Sequence, residues 1–200
     1  MNFSTKINDN SYSQDLNFSL EIIQNGGVIL CPTDTVWGLS CDATSESAVE
    51  KIYQIKNRPP QKSLIVLVNS LEMIRFYIDF EESYFEKVKC FIDQNHKPTT
   101  VIYPKSQNLA KNLTSDNSIA IRIVKQGFCS DLIAKLNKPL VSTSANFSGE
   151  PTPCNFAEIN PKLIEKVDYT VQHKQNDNQK SASSTIIKLG SDGEIEIIRE

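Results

Sequence analysis

Leu64-Ile65-Val66-Leu67-Val68 is the longest uninterrupted apolar run in the chain. Side chains alternate across a strand, so five consecutive aliphatic residues predict a strand apolar on both faces, as in a sheet covered on both sides. Upstream, Ala48, Ile52 and Ile55 recur at helical spacing and predict a helix over residues 45–57. Before that helix, Val28-Ile29-Leu30-Cys31 reads as a short buried strand stopped by Pro32. Leu16, Leu20 and Ile23 mark an earlier helix that Gly26-Gly27 ends, and the polar residues 1–13 read as a frayed leader. Downstream, Tyr84, Val88 and Phe91 predict a helix over 81–94, followed by a strand at 99–103. Ile119, Ile121 and Ile123 alternate with Ala120, Arg122 and Val124, which makes a strand with an arginine on one face. A short helix at 128–137 and a strand at 140–143 follow. Strands at 168–171 and 185–189 flank the polar loop 172–183, and Gly190-Ser191-Asp192-Gly193 turns the second of them into residues 194–199. No composition break divides this series, which predicts one α/β unit over residues 1–200 with a mixed, twisted sheet.

Composition excludes several classes. Hydrophobic residues at 39% and charged residues at 22% are globular values, neither disordered nor fibrous. The longest apolar run is too short for a membrane span, and the N-terminal residues lack the apolar core of a secretory signal. The five cysteines include no Cys-x-x-Cys pair, which argues against a disulfide framework or zinc ribbon and fits a reducing cytoplasm. The two histidines, His96 and His173, belong to no metal-binding pattern. A net charge of −3 gives no global attraction to a polyanion, so nucleic-acid contact would need a local basic patch.

Four polar clusters sit at strand or helix positions where chemistry is often found. Pro32-Thr33-Asp34-Thr35-Val36-Trp37-Gly38-Leu39 follows a buried strand, at the strand end where open α/β sheets bind ligands; it reads equally as a hydrogen-bonded turn capped by Asp34. Lys56 and Arg58 close the 45–57 helix, either to complement its dipole or to converge on phosphates as point charge and planar fork. Ser144 and Asn146 follow the strand at 140–143 and offer a hydroxyl and an amide, or a capped turn. Arg122, buried in an apolar strand, needs an anionic partner, which is either a protein carboxylate or a ligand. Neither a Gly-x-x-x-x-Gly-Lys-[Ser/Thr] loop nor a Gly-x-Gly-x-x-Gly turn occurs. Together the clusters describe an anion site without naming the anion.

The order Gly27-Val-Ile-Leu-Cys-Pro-Thr-Asp-Thr-Val-Trp-Gly-Leu-Ser-Cys-Asp-Ala43, Lys56-x-Arg58, Ala120-Ile-Arg122, Ser144-Ala-Asn-Phe-Ser-Gly149 and Ser184-Thr-Ile186 resembles the YrdC-like threonylcarbamoyl-AMP synthase family. The resemblance runs over roughly residues 15–199, and the end of the chain at Glu200 is similar to the short, single-domain form. It implies an open, twisted α/β sheet flanked by helices. It also implies a nucleotidyltransferase that makes threonylcarbamoyl-AMP from L-threonine, bicarbonate or CO2 and ATP, with release of pyrophosphate. Other proteins then pass the threonylcarbamoyl group to a tRNA adenosine beside the anticodon.

Carried over residue by residue, Thr35, Leu67, Arg122, Ser144 and Ser184 are implied threonine contacts, with Arg122 on the carboxylate. Arg58, Lys62, Ser118, Asn146, Cys154 and Arg199 are implied ATP contacts, Cys154 through its backbone. Lys56 and Arg58 are the implied catalytic pair, stabilising charge on the α-phosphate and pyrophosphate, with Mg²⁺ accompanying ATP and no metal bound by the protein itself. The chain departs from the family at Asn95-His96-Lys97-Pro98-Thr99-Thr100, where Trp-Pro-Gly-Pro-x-Thr is frequent, and at Leu67, where many members have histidine. A double-stranded RNA or tRNA-binding module is the alternative reading, and a carbamoyltransferase domain a further one. The latter's relatives bring zinc-binding cysteine pairs that are missing here.

Overall fold

The computed structural model describes residues 6–59, 64–79, 81–95, 97–114, 116–177, 183–190 and 193–200. In chain order the helices are α1 (Lys6–Gln24), α2 (Glu46–Lys56), α3 (Leu71–Ile74), α4 (Glu82–Gln94), α5 (Phe128–Leu136) and α6 (Pro161–Ile164). The strands are β1 (Ile29–Cys31), β2 (Gly38–Asp42), β3 (Ile65–Val68), β4 (Thr99–Tyr103), β5 (Ile119–Ile123), β6 (Leu140–Ser144), β7 (Tyr169–Thr170), β8 (Thr185–Leu189) and β9 (Ile195–Arg199). All nine join one sheet in the order β7-β1-β2-β6-β3-β5-β4-β8-β9. Three neighbouring pairs are parallel (β1–β7, β3–β5, β4–β8) and the other five antiparallel, so the sheet is mixed, as expected.

Residues opposite one another across strands share a face, so register separates two layers. Val66, Ile121, Val101 and Ile187 lie side by side on one face and are all buried. Leu67, Arg122 and Thr100 lie side by side on the other, also buried. Along the same face Cys31 is covered by α5, where its sulfur lies 3.8 Å from that of Cys129. Further along, Ile65, Ile102, Ala120 and Ile186 are only partly covered and Lys188 is exposed. The doubly covered sheet read from residues 64–68 therefore holds around Leu67, while one end of this face stays open.

The polar leader expected over residues 1–13 is corrected: α1 already begins at Lys6, and residues 1–5 lie outside the described set. Its inward face is marked by hydrogen bonds that a hydrophobicity pattern does not register. The Tyr12 hydroxyl donates to Asp131 Oδ2 at 2.6 Å, fastening α1 to α5. Asp15, 2% exposed, accepts from the Tyr169 hydroxyl and from the backbone N–H groups of Gln172 and His173 at 2.6–3.0 Å. One buried carboxylate thus sets the path of the chain after β7.

β2 was not expected, because Gly-Leu-Ser-Cys-Asp has weak strand propensity. Pairing with β1 on one side and β6 on the other imposes the extended form. Gly38 suits this site, since a Cβ there would sit 3.0 Å from the Thr143 carbonyl oxygen.

Replacing Asp15 with Ala removes the shared buried acceptor of three part-buried hydrogen bonds at once. The expected cost is about 3 kcal/mol of folding stability, measured by urea unfolding, with little change if Asp15 is merely a surface cap.

Candidate functional site

The β1–β2 loop is shaped by its own threonines. The Thr33 hydroxyl donates to the Val36 carbonyl at 2.7 Å and accepts from the Thr35 N–H at 3.1 Å, a compact turn that aims Asp34 and Thr35 at β5. There Arg122, 3% exposed, donates from Nε and Nη2 to Asp34 Oδ1 at 3.2 and 3.0 Å. Nη2 also reaches Thr35 Oγ1 at 3.2 Å, and Nη1 reaches Thr100 Oγ1 on β4 at 3.4 Å. Thr100 and Ser184 share a hydroxyl–hydroxyl hydrogen bond of 2.8 Å. Arg199 on β9 donates from Nε and Nη2 to the Ser184 carbonyl at 3.2 and 2.7 Å. Thr35, Arg122, Ser184 and Arg199 are therefore brought together in one run of hydrogen bonds. Asp34, which sequence placed in a candidate ligand loop or as a turn cap, joins them, as does Thr100, which was not placed in the site from sequence.

A second cluster lies at the end of α2. Asn57 takes a left-handed conformation (φ 50°) and stops the helix, leaving Lys56 pointed inward. Its ammonium donates to the carbonyls of Ser144 and Asn146 at 2.5 Å each, with Asn146 Oδ1 at 3.5 Å. The Ser144 hydroxyl donates to Asn146 Oδ1 at 2.5 Å, and the Asn146 amide donates to the Glu150 carbonyl at 2.6 Å. The Ala145 N–H bonds the Trp37 carbonyl at 3.0 Å, so this loop abuts the β1–β2 loop.

Neither reading of Lys56 as an outward helix-end cation holds for the free protein: the residue is 1% exposed and its donors are directed at protein oxygens. Burial, helped by the nearby Arg58 charge and opposed by Glu150, lowers its pKa to about 8. Arg58 is partly buried, and that burial pulls its guanidinium down from the usual range.

The remaining expected residues are more dispersed. Leu67 sits beside Arg122 in register, but its side chain is fully covered, so contact with an amino acid requires a neighbour to move. The Ser118 hydroxyl donates to Asp116 Oδ1 at 2.7 Å in the turn before β5. The Cys154 N–H donates to Glu158 Oε2 at 2.8 Å, which leaves its carbonyl as the backbone group for a ligand. Lys62 lies outside the described residues, as does His96.

A cavity of about 460 Å³ opens on the other side of the β1–β2 loop, lined by Asp34, Thr35 and Trp37, the start of α5, Cys154, His173 and Lys174. Of the expected contacts it touches Thr35 and Cys154, while Ser144, Ser184 and Arg199 lie outside its lining. The hydrogen-bonded cluster is the better guide to chemistry than the cavity, because charge and hydroxyls converge there. His173 packs edge-on to Tyr12 at 4.7 Å, and burial lowers its pKa, so the ring is a neutral wall of that cavity.

A buried arginine ringed by hydroxyls, beside a loop tied down by a buried lysine, defines an α/β protein with a built polar site on its sheet. The chain belongs to the Sua5/YciO/YrdC family, whose model, described as telomere recombination, matches residues 21–200. A threonylcarbamoyl-AMP synthase of Xanthomonas campestris pv. campestris (strain B100) is 34% identical over 158 residues, 78% of this chain and 84% of that protein. The fold is similar to that of E. coli YciO, with a TM-score of 0.75 at 24% identity over 94% of this chain and 89% of the other. It is equally similar to P. abyssi Sua5 complexed with L-threonine, with a TM-score of 0.75 at 24% identity, although the match covers 87% of this chain and only half (50%) of the Sua5 chain. Among the described residues no helix is long and apolar enough to cross a membrane.

Lys56→Ala leaves the buried Asn146 carbonyl and the part-buried Ser144 carbonyl without their donor. We expect a loss of about 2–4 kcal/mol in stability, seen as a lower melting temperature, and not the unchanged melt that a surface cation would give.

Proposed function

We propose that this chain is a cytoplasmic nucleotidyltransferase that makes L-threonylcarbamoyl-AMP from L-threonine, bicarbonate or CO2 and ATP, releasing pyrophosphate for threonylcarbamoyl modification of tRNA. The observation that carries this reading is the Arg122 cluster, in which one guanidinium and the hydroxyls of Thr35, Thr100 and Ser184 converge within hydrogen-bonding range. A guanidinium suits an α-carboxylate and surrounding hydroxyls suit the substrate's own hydroxyl. The synthase relative in Xanthomonas and the threonine-bound Sua5 structure support the same assignment.

In this reading Arg122 orients the carboxylate of threonine, with Thr35, Ser144 and Ser184 as further contacts. The neutral amine adds to CO2, and a carbamate oxygen attacks the α-phosphorus while pyrophosphate leaves with the bonding electrons. Arg58, Lys62 and Arg199 supply positive charge where it accumulates, with Ser118, Asn146 and the Cys154 carbonyl holding the nucleotide. Lys56 acts by fixing the Ser144–Asn146 loop. No three carboxylate, imidazole or thiolate groups converge among the described residues. We assign Mg²⁺ to the reaction as a companion of ATP, where it would neutralise charge on the triphosphate. The product passes to a partner that transfers the threonylcarbamoyl group to tRNA.

Pyrophosphate release with ATP, bicarbonate and single amino acids tests the reading. Threonine is expected to exceed valine by a factor on the order of 10⁴, because a site built around a substrate hydroxyl leaves buried groups unpaired without it. Equal rates with the two, or RNA retention on a filter without pyrophosphate release, overturn it.

Arg58→Ala is expected to lower the rate by roughly a hundredfold or more. An unchanged rate would remove Arg58 from the machinery.

A further inference from the structure

Asp34 stands where a substrate carboxylate has to bind. An arginine recognises a carboxylate through paired N–H groups on one edge of its planar fork. Here the Nε and Nη2 edge of Arg122 is already engaged, both groups pointing at Asp34 Oδ1. The other partners, Thr35 and Thr100, are neutral hydroxyls, which an incoming anion can share. Asp34 is the carboxylate among them.

Burial gives the order of the layers. The Arg122 side chain is 4% exposed and that of Asp34 20%. Asp34 is therefore the more accessible member of the pair, the one an incoming ligand meets first. The backbone beneath it is fixed by the Thr33 hydrogen bonds, so side-chain rotation of Asp34 can open the fork without unfolding the loop.

We infer that Asp34 is a built-in stand-in for the amino-acid carboxylate, a plug that neutralises Arg122 in the free protein and that substrate displaces. This rests on the assignment of Arg122 to the threonine carboxylate. The plug explains how a nearly inaccessible cation is kept in the unliganded fold, since a buried charge needs a partner. It also sets selectivity: a ligand without a carboxylate has nothing to offer Arg122 in exchange. The displacement cost lowers the apparent affinity for threonine by the fraction of molecules in which the fork is open.

Asp34→Asn keeps the shape and removes the competing charge. Calorimetric titration with L-threonine, in the presence of a non-hydrolysable α,β-methylene ATP analogue, is expected to show binding tightened by roughly tenfold or more. In steady state the same variant lowers the KM for threonine, with kcat changing less. The free variant melts below wild type, and threonine raises its melting temperature by more than it raises that of wild type. A purely structural aspartate would give the lower melt without tighter binding. Equal or weaker threonine binding by Asp34→Asn overturns the plug and makes Asp34 a bystander or a direct substrate contact. Should Asp34→Asn fail to fold, Asp34→Ser, with a neutral acceptor of smaller size, is read by the same criteria. If wild type itself binds no threonine, the threonine assignment falls and the plug with it; if wild type binds and the variants do not tighten, only the plug falls.

Discussion

The burial of a guanidinium charge at Arg122 is the constraint around which the site is arranged. An isolated ion in a protein interior costs several kcal/mol, so the charge persists only where a counter-ion and hydrogen-bond acceptors surround it. Those acceptors come from distant segments: Asp34 and Thr35 from the loop after β1, and Thr100 from β4. Thr100 in turn engages Ser184, whose carbonyl is held by Arg199 on the edge strand β9. One run of polar contacts therefore crosses the face from β1 to the far edge, and accounts for the hydroxyl residues among otherwise aliphatic strands.

Lys56 solves a different problem with the same kind of charge. Three oxygens, the Ser144 and Asn146 carbonyls and Asn146 Oδ1, meet where the backbone leaves the sheet at the end of β6. An ammonium has three donors on a tetrahedral head and can answer several acceptors gathered around one point. The two cations divide the work: Arg122 organises side chains that face a ligand, and Lys56 organises backbone.

Much of the architecture was legible because it obeys simple periods. Ala48, Ile52 and Ile55 gave α2, and the alternation at Ile119, Ile121 and Ile123 gave β5, each within a residue or so of its observed ends. What escaped was whatever depends on a remote partner. The start of α1 is anchored through the Tyr12 hydroxyl and the Asp15 carboxylate, polar groups that read as solvent-facing until their acceptors and donors on α5 and after β7 are known. Gly38-Leu39-Ser40-Cys41-Asp42 is a strand because its neighbours on both sides are strands. Sequence posed the right question at Arg122, ligand or protein carboxylate, but the answer for the free protein lay 88 residues away in Asp34. Lys56 read as a cation for the helix dipole or for phosphates; the left-handed turn at Asn57 and the loop at 144–146 bury it instead.

The position of β6 governs when this molecule can become itself. β7-β1-β2 lie on one side of it and β3-β5-β4-β8-β9 on the other, so residues 140–144 are the seam between two partial sheets. On a ribosome the first two strands and the next three emerge in order, yet neither group has an edge to share until β6 is out. Exposed strand edges are sticky, and pairings remote in sequence form slowly. A nascent chain halted before residue 140 would thus present four unfinished sheet edges to its surroundings, those of β1, β2, β3 and β4, which makes that length the point where a chaperone has most to hold.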